Sequence, residues 1–291
     1  MRISILTPAF NSGKYLEKAI QSVLAQNDLN FEHIVVDGGS KDETVTILRR
    51  YPHLKWVSEP DRGQCDAMNK AFARSAGDII AYLNADDWYE PGVFTHVRDC
   101  FLSQPGAGMV VGNLFVRYED SGKVRLVIPS KTYRSVLLHF RRVFPLNPVS
   151  YFYRRSVQEG AGDFPLHLHY TMDYWFLLRA LLQWRVCCSD LIFGTFFITG
   201  ANKTSSKTPT EGPWDVAIRH LREENPSLLP WFYGQWFFHH WVREFPELAK
   251  TPLRYLAYRF LFCNMVDYDE YRALGFRRAY RKRFPRHRMT A

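Results

Sequence analysis

The sequence predicts an α/β fold: a mostly parallel sheet covered by helices on both faces, followed by a helical C-terminal region. Three observations predict it. Short apolar runs of strand length alternate with stripes at helical spacing through the first ninety residues. Ile34-Val35-Val36 is apolar without alternation, as in a strand buried on both faces. Each strand is followed by a loop rich in Asp, Asn, Gly or Arg, and ligands bind at that end of such sheets.

The elements follow in order. Ile3 to Thr7 reads as a strand stopped by Pro8. Leu16, Ala19, Ile20, Val23 and Leu24 fall at i, i+3, i+4, i+7 and i+8 and make one apolar stripe, with Asn11 or Ser12 to cap the helix. A buried strand ends at Asp37. Ser40-Lys41-Asp42-Glu43 has the form of a capping box that opens a second helix. A strand near Leu54 to Val57, a helix from about Gln64 to Ser75 and a strand from Ile79 to Leu83 complete the alternation. Past Pro91 the pattern loosens. Val110 to Ile128 reads as a hairpin turning at Asp120-Ser121-Gly122, and Phe144 to Tyr153 as another strand. Thr171 opens a helix to about Gln183 that is apolar nearly all round, and Phe193 to Ile198 reads as a strand. Gly200 to Pro213 has loop composition.

A chain of 291 residues has room for a large buried core, and 46% hydrophobic with 16% aromatic residues excludes general disorder. The formal charge of +9 is uneven: residues 225–291 hold 12 Lys and Arg against 5 Asp and Glu. Five cysteines without a C-x-x-C pair point to reduced thiols. The opening apolar run is short for a secretory leader, and no uncharged stretch reaches the length of a spanning helix, so a cytoplasmic protein is expected.

Four loops converge at the strand ends: Thr7 to Asn11, Asp37 to Ser40, Glu59 to Gln64, and Asn84 to Asp87. Several carboxylates in one such pocket suggest a metal and a polar, phosphorylated ligand. Taken one at a time the acids have plainer readings. Asp86 and Asp87 could cap a helix near Pro91, Asp37 could serve a glycine turn, Asp61 and Gln64 could cap the helix after them, and Asp173 could sit in a first helical turn for the dipole alone.

The ordered set Thr7-Pro8-Ala9-Phe10-Asn11, Ser22-Val23-Leu24-Ala25-Gln26, Val35-Val36-Asp37-Gly38-Gly39-Ser40, Glu59-Pro60-Asp61-Arg62-Gly63-Gln64 and Asn84-Ala85-Asp86-Asp87 resembles family-two glycosyltransferases of the GT-A fold. The resemblance covers roughly residues 1–204 and is densest over the first ninety. It implies a nucleotide-diphosphate-sugar donor, most readily UDP-linked, and a divalent cation, Mn²⁺ or Mg²⁺, to offset diphosphate charge. The last acid of the family's D-x-D motif falls on Asp86, the implied metal ligand, aided by Asp87; the first position holds Asn84, a departure, with Ala85 between them. Asp37 matches the carboxylate that accepts from the uracil ring N–H, beside Gly38. Thr7, Pro8, Phe10 and Asn11 would flank base and ribose, and Arg62 and Gln64 would lie beside the nucleotide. Asp173 falls at the position of the general base of an inverting transfer. Relatives often carry His where Thr199 stands; Lys203 could then close over the phosphates.

Residues 1–212 are expected to form the GT-A domain, with 1–100 binding the nucleotide sugar and 101–212 on the acceptor side. Residues 213–291 form the aromatic, basic helical region. Seven aromatics lie between Trp231 and Trp241, and the basic cluster runs from Arg277 to Arg288. That combination suits peripheral contact with an anionic membrane at its inner face, a packed subdomain or an oligomer interface. Nucleic acid is disfavoured because no binding motif accompanies the charge. The expected activity is sugar transfer to a glycan or lipid-linked acceptor in surface-polysaccharide assembly. The alternatives are a nucleotidyltransferase, though no glycine-rich basic phosphate loop follows Thr7, and a non-catalytic binding protein of the same fold.

Overall fold

The computed structural model describes residues 1–129, 132–137, 147–200 and 212–244. The strands are β1 (Ile3–Ala9), β2 (Phe31–Asp37), β3 (Leu54–Ser58), β4 (Ile79–Tyr82), β5 (Trp88–Tyr89), β6 (Ala107–Tyr118), β7 (Val124–Val127), β8 (Tyr151–Arg154) and β9 (Arg185–Ile198). The helices are α1 (Leu16–Leu24), α2 (Thr44–Arg49), α3 (Gln64–Ala73), α4 (Val93–Ser103), α5 (Tyr133–Leu137), α6 (Arg155–Ala161), α7 (Met172–Gln183), α8 (Pro213–Glu224) and α9 (Leu229–Glu244). Two compact units divide the chain, Met1–Leu229 and Pro230–Ala291.

In the first unit one sheet runs β3-β2-β1-β4-β8-β6-β9-β5, with β7 paired to β6. β1 to β4 are parallel to one another, β8 is antiparallel to β4 and β6, and β9 runs parallel to β6. The fold is therefore the α/β arrangement expected, its nucleotide half parallel and its second half mixed. Pro8 does not end β1, which continues to Ala9 opposite Asp37. Leu6 faces β4 through Leu83 N–H, and two residues on Pro8 faces the same side after β4 has ended, so its missing N–H deprives no partner.

Both expected caps are built differently. Asn11 sits at φ 48° and ties loops together, accepting from Lys41 N at 2.9 Å and donating its own N–H to Ser40 Oγ at 2.7 Å. Ser12 offers only its backbone carbonyl to Tyr15 and Leu16. The capping box at Ser40 does not form, because Ser40 Oγ donates to Asp37 while Asp42 accepts from Thr44 N and Gly13 N. α1 buries Leu16, Ala19, Ile20 and Val23 as expected, each large side chain contributing about 1.5–3 kcal/mol, whereas Leu24 is exposed.

The Ser22-to-Gln26 segment proves to be a strut. Gln26 Nε2 donates to Glu90 O at 2.9 Å, its Oε1 accepts from Val93 N at 2.9 Å, and Ser22 Oγ accepts from Tyr89 N at 3.1 Å. It thus caps α4, a task Asp86 and Asp87 do not perform. Behind it Tyr89, Phe94, Phe152 and Phe193 pack at centroid distances of 5.3 to 6.1 Å. The hairpin of β6 and β7 turns where expected. α4 and α6 were hidden in the stretch past Pro91 where periodicity fades, the two-residue β5 was missed just before it, and β9 begins eight residues before the expected start.

Cys65 and Cys187 are buried, Cys100 is half-buried and Cys188 is exposed; Cys263 and Lys203 lie outside the described residues. α8 packs within the first unit through Arg179 to Glu224 at 2.9 Å and His220 to Tyr133 Oη at 2.9 Å. Among the described residues no helix is long and apolar enough to cross a membrane. The basic cluster from Arg277 to Arg288 lies outside the described residues. In α9 Tyr233, Trp236 and Phe237 are exposed.

Candidate active site

A cavity of about 690 Å³ opens at the carboxyl ends of β1, β2 and β4, where the first, second, third and fourth polar loops meet. Its walls include Pro8 at the end of β1 and Phe10 and Asn11 after it, Gly38 after β2, Asp61 and Gln64 before and within α3, and Asn84, Ala85 and Asp86 after β4. The lining also includes His169 and Tyr170 before α7, Met172 and Asp173 in its first turn, and Phe196 and Thr199 from the end of β9. Asp86 and Asp173, 87 positions apart in sequence, therefore face one volume.

Four of the candidate residues are not in that wall. Thr7 is fully buried, with Oγ1 2.9 Å from His33 Nε2. Asp37 is also fully buried; Ser58 Oγ donates to it at 2.6 Å, Ser40 N at 3.0 Å, and Ser40 Oγ as well. Arg62 is exposed and pairs with Asp66 at 3.2 Å. Asp87 is wholly enclosed and accepts from Asn84 Nδ2 at 3.0 Å, Asn147 Nδ2 at 2.8 Å and Phe197 N at 2.9 Å.

That network accounts for Asn84. Its carboxamide accepts from Gln64 Nε2 at 3.2 Å and donates to Asp87, joining α3 to the loop after β4. A carboxylate at 84 would meet the Asp87 carboxylate at hydrogen-bond distance with no proton between them. The amide lets Asp87 anchor the loop while Asp86 turns to the cavity. Burial pushes the Asp86 carboxyl above the ordinary carboxylate range. Burial and the neighbouring Asp86 charge push Asp87 further, against the pull of its hydrogen bonds.

A cation fits this donor set in one way. Among the described residues no group of three His, Cys, Asp or Glu side chains converges on a metal position. The protein brings the Asp86 carboxylate to the cavity, and a hard, oxygen-preferring ion such as Mg²⁺ or Mn²⁺ is commonly held by one or two carboxylates plus substrate phosphate oxygens. Asn147, His169 and Tyr170 were not singled out from sequence. The Asn147-Pro148 dipeptide is a turn signal, and Asn147 does cap the 3₁₀ turn Pro148–Ser150 by accepting from Val149 N at 2.8 Å, but nothing in it points to the cavity or to Asp87, its partner 60 residues away in sequence.

The chain is similar to known proteins. The model of the family "Glycosyl transferase family 2" matches residues 4–160. An uncharacterised glycosyltransferase of Mycobacterium tuberculosis is 30% identical over 184 residues, 62% of this chain and 69% of that protein. One of Nostoc is 30% identical over 115 residues, so the matched region spans 36% of that relative's length. S. aureus TarS 1–349, solved in complex with UDP-GlcNAc, superposes with a TM-score of 0.65 at 18% identity, over 90% of this chain and 79% of that one. The mannosyltransferase PcManGT of Pyrobaculum calidifontis, solved with GDP-Man and Mn²⁺, gives 0.53 at 17% identity over 98% and 88%. The fold is the GT-A arrangement these structures share, and with more than half its length matched by the family model, the chain belongs to glycosyl transferase family 2.

Proposed function

We propose that this glycosyltransferase moves a sugar, with inversion, from a UDP-linked donor to a glycan or lipid-linked acceptor, with Mn²⁺ or Mg²⁺ held at Asp86. The observation that carries the reading is the single cavity shared by Asp86 and Asp173. Direct displacement at an anomeric carbon requires an acceptor oxygen on one face and a departing diphosphate on the other, so charge must be managed at two opposed ends. Asp173, in the first turn of α7, takes the acceptor hydroxyl proton as that oxygen attacks. Asp86 binds the donor end, where a divalent ion supplies charge compensation for the diphosphate. Pro8, Phe10, Asn11 and Gly38 border the nucleotide, Gln64, Asn84 and Ala85 the diphosphate, and Thr199 occupies the wall where relatives carry His. Asp37 and Thr7 support that wall from behind, and Asp87 holds Asn84 in place. Lys203 is proposed to close over the phosphates and Arg62 to counter them from the rim.

The TarS complex with UDP-GlcNAc and the PcManGT complex with GDP-Man and Mn²⁺ support a nucleotide-sugar donor and a divalent ion. Surface-polysaccharide assembly at the inner face of a membrane, approached through the aromatic and basic C-terminal region, is the setting this reading implies. The test is a thermal-shift panel of UDP-, GDP- and dTDP-sugars with and without Mn²⁺. A ligand at 100 times its dissociation constant adds about 2.7 kcal/mol. Stabilisation by a UDP-sugar that strengthens with Mn²⁺ is expected; no shift with any donor refutes the proposal.

A further inference from the structure

The base-recognition carboxylate expected at position 37 is enclosed. Asp37 is fully buried, does not border the cavity, and has both oxygens engaged by Ser40 and Ser58. Asp61 stands in the opening instead. It borders the cavity, and its Oδ2 lies 2.5 Å from where a Cβ on residue 38 would be, in the space that Gly38 leaves vacant. Its Oδ1 accepts from Gly63 N at 2.8 Å, which fixes the carboxylate plane. The adjacent Arg62 turns to Asp66, and among the described residues no cation pairs with Asp61. Gly38 N in turn donates to Ala9 O at 2.9 Å, so this carboxylate lies next to the Pro8-to-Asn11 wall, where Phe10 is 62% exposed.

We infer that Asp61, rather than Asp37, reads the nucleobase of the donor by accepting the imide N–H of a uracil or thymine ring on Oδ2. This rests on the nucleotide-sugar reading above. A carboxylate with two open oxygens would suit guanine, which offers N1–H and N2–H side by side; here Gly63 occupies one oxygen, leaving one position for one imide hydrogen. Cytosine presents a lone pair at the corresponding ring nitrogen and is repelled. Glycine at 38 is then part of the recognition device, since any Cβ there displaces Oδ2.

The experiment is calorimetric titration of the full chain with UDP, dTDP, CDP and GDP in the presence of Mn²⁺, for the wild type and for Asp61→Asn, Gly38→Ala and Asp37→Asn, each checked for folding by circular dichroism. The wild type is expected to favour UDP over CDP and GDP by at least about tenfold. dTDP reports whether the ring methyl is admitted: binding like UDP or weaker leaves the imide as the recognised group, and the two arms tell the sources apart. In Asp61→Asn the new N–H suits cytosine, so the preference for UDP over CDP should fall to near unity. Gly38→Ala should erode it too, by moving the carboxylate, and decides the matter if Asp61→Asn fails to fold. An unchanged UDP preference in the folded Asp61→Asn or Gly38→Ala variant overturns the inference while leaving the donor reading intact; preference for GDP in the wild type overturns the inference and the UDP part of that reading, and leaves a nucleotide-sugar donor standing. Failure of the wild type to bind any of the four overturns both.

Discussion

At the scale of single residues, the proposed base Asp173 and the proposed metal ligand Asp86 have separable duties. Asp173→Asn keeps the size and hydrogen-bonding reach of the side chain but cannot take a proton. Turnover is expected to fall by roughly 10²–10⁴ while donor affinity is retained. Initial-rate kinetics beside donor titration check this, and an unchanged turnover number removes Asp173 from the chemistry. Asn84→Asp tests the network under the loop after β4. A second carboxylate facing Asp87 replaces a donor with an acceptor, and a loss of about 1–3 kcal/mol is expected at pH 7. The loss should shrink as acid supplies a proton for the pair; a variant as stable as the wild type in urea at pH 7 would mean that the amide contact is incidental.

Position 84 was legible in the sequence only as a departure. Its reason was not, because Gln64 and Asp87 become partners through a fold that brings the start of α3 beside the end of β4. The same holds for Asp37. Its place at the end of a strand was readable, but its burial depends on Ser58, from the neighbouring strand β3.

At the scale of elements, the shortest strand has a large task. β5 follows Asp86 and Asp87 directly and pairs with β9 through Trp88 opposite Thr195 and Tyr89 opposite Gly194. A Cβ on residue 194 would stand 2.5 Å from Trp88 O and 2.5 Å from Val149 Cγ2. Gly194→Ala must therefore push β5 away, at a cost of about 1–3 kcal/mol for overpacking, and carry the Asn84-to-Asp87 loop, the proposed metal site, with it. A lower melting temperature together with weaker Mn²⁺-dependent nucleotide binding is expected. Wild-type values for both would show that β5 does not position the loop. Two-residue strands leave no period to detect, so β5 was invisible in sequence, whereas α1, with four buried positions on one stripe, was plain. The Ser22-to-Gln26 segment was recognised as a motif, yet its work as a strut is defined by β5 and α4.

At the scale of the whole molecule, acid should loosen the fold. Burial, with His53 nearby, pushes the His33 imidazole down to about 3, and burial takes His220 to about 4. An unfolded imidazole binds its proton near 6.5, so between about pH 6.5 and 3 the unfolded chain holds more protons and stability falls as pH falls. His33 alone contributes a loss of about 2 kcal/mol from pH 7 to pH 5. Equilibrium urea unfolding of the wild type and a His33→Gln variant at the two pH values separates it from the opposing contribution of Asp86 and Asp87, whose raised carboxyl values favour the fold as pH falls, and an equal pH dependence in the two proteins would contradict the burial of that ring. The C-terminal region is tested separately: salt-sensitive sedimentation with anionic vesicles, lost on removing residues 268–291, is expected of a membrane contact. Indifference to lipid would assign that region to another role.

The sequence alone determined the strand and helix alternation, the end of the sheet where the site lies, and the carboxylates to inspect there. Those features are local: a period of two or 3.6, a glycine turn, an acid after a strand. Which carboxylates reach the cavity was decided only in three dimensions. Asp86 and Asp173 face the same volume and Asp61 stands over Gly38, while Asp37 and Asp87 are enclosed, because burial and hydrogen-bond partnership come from segments far apart in the chain.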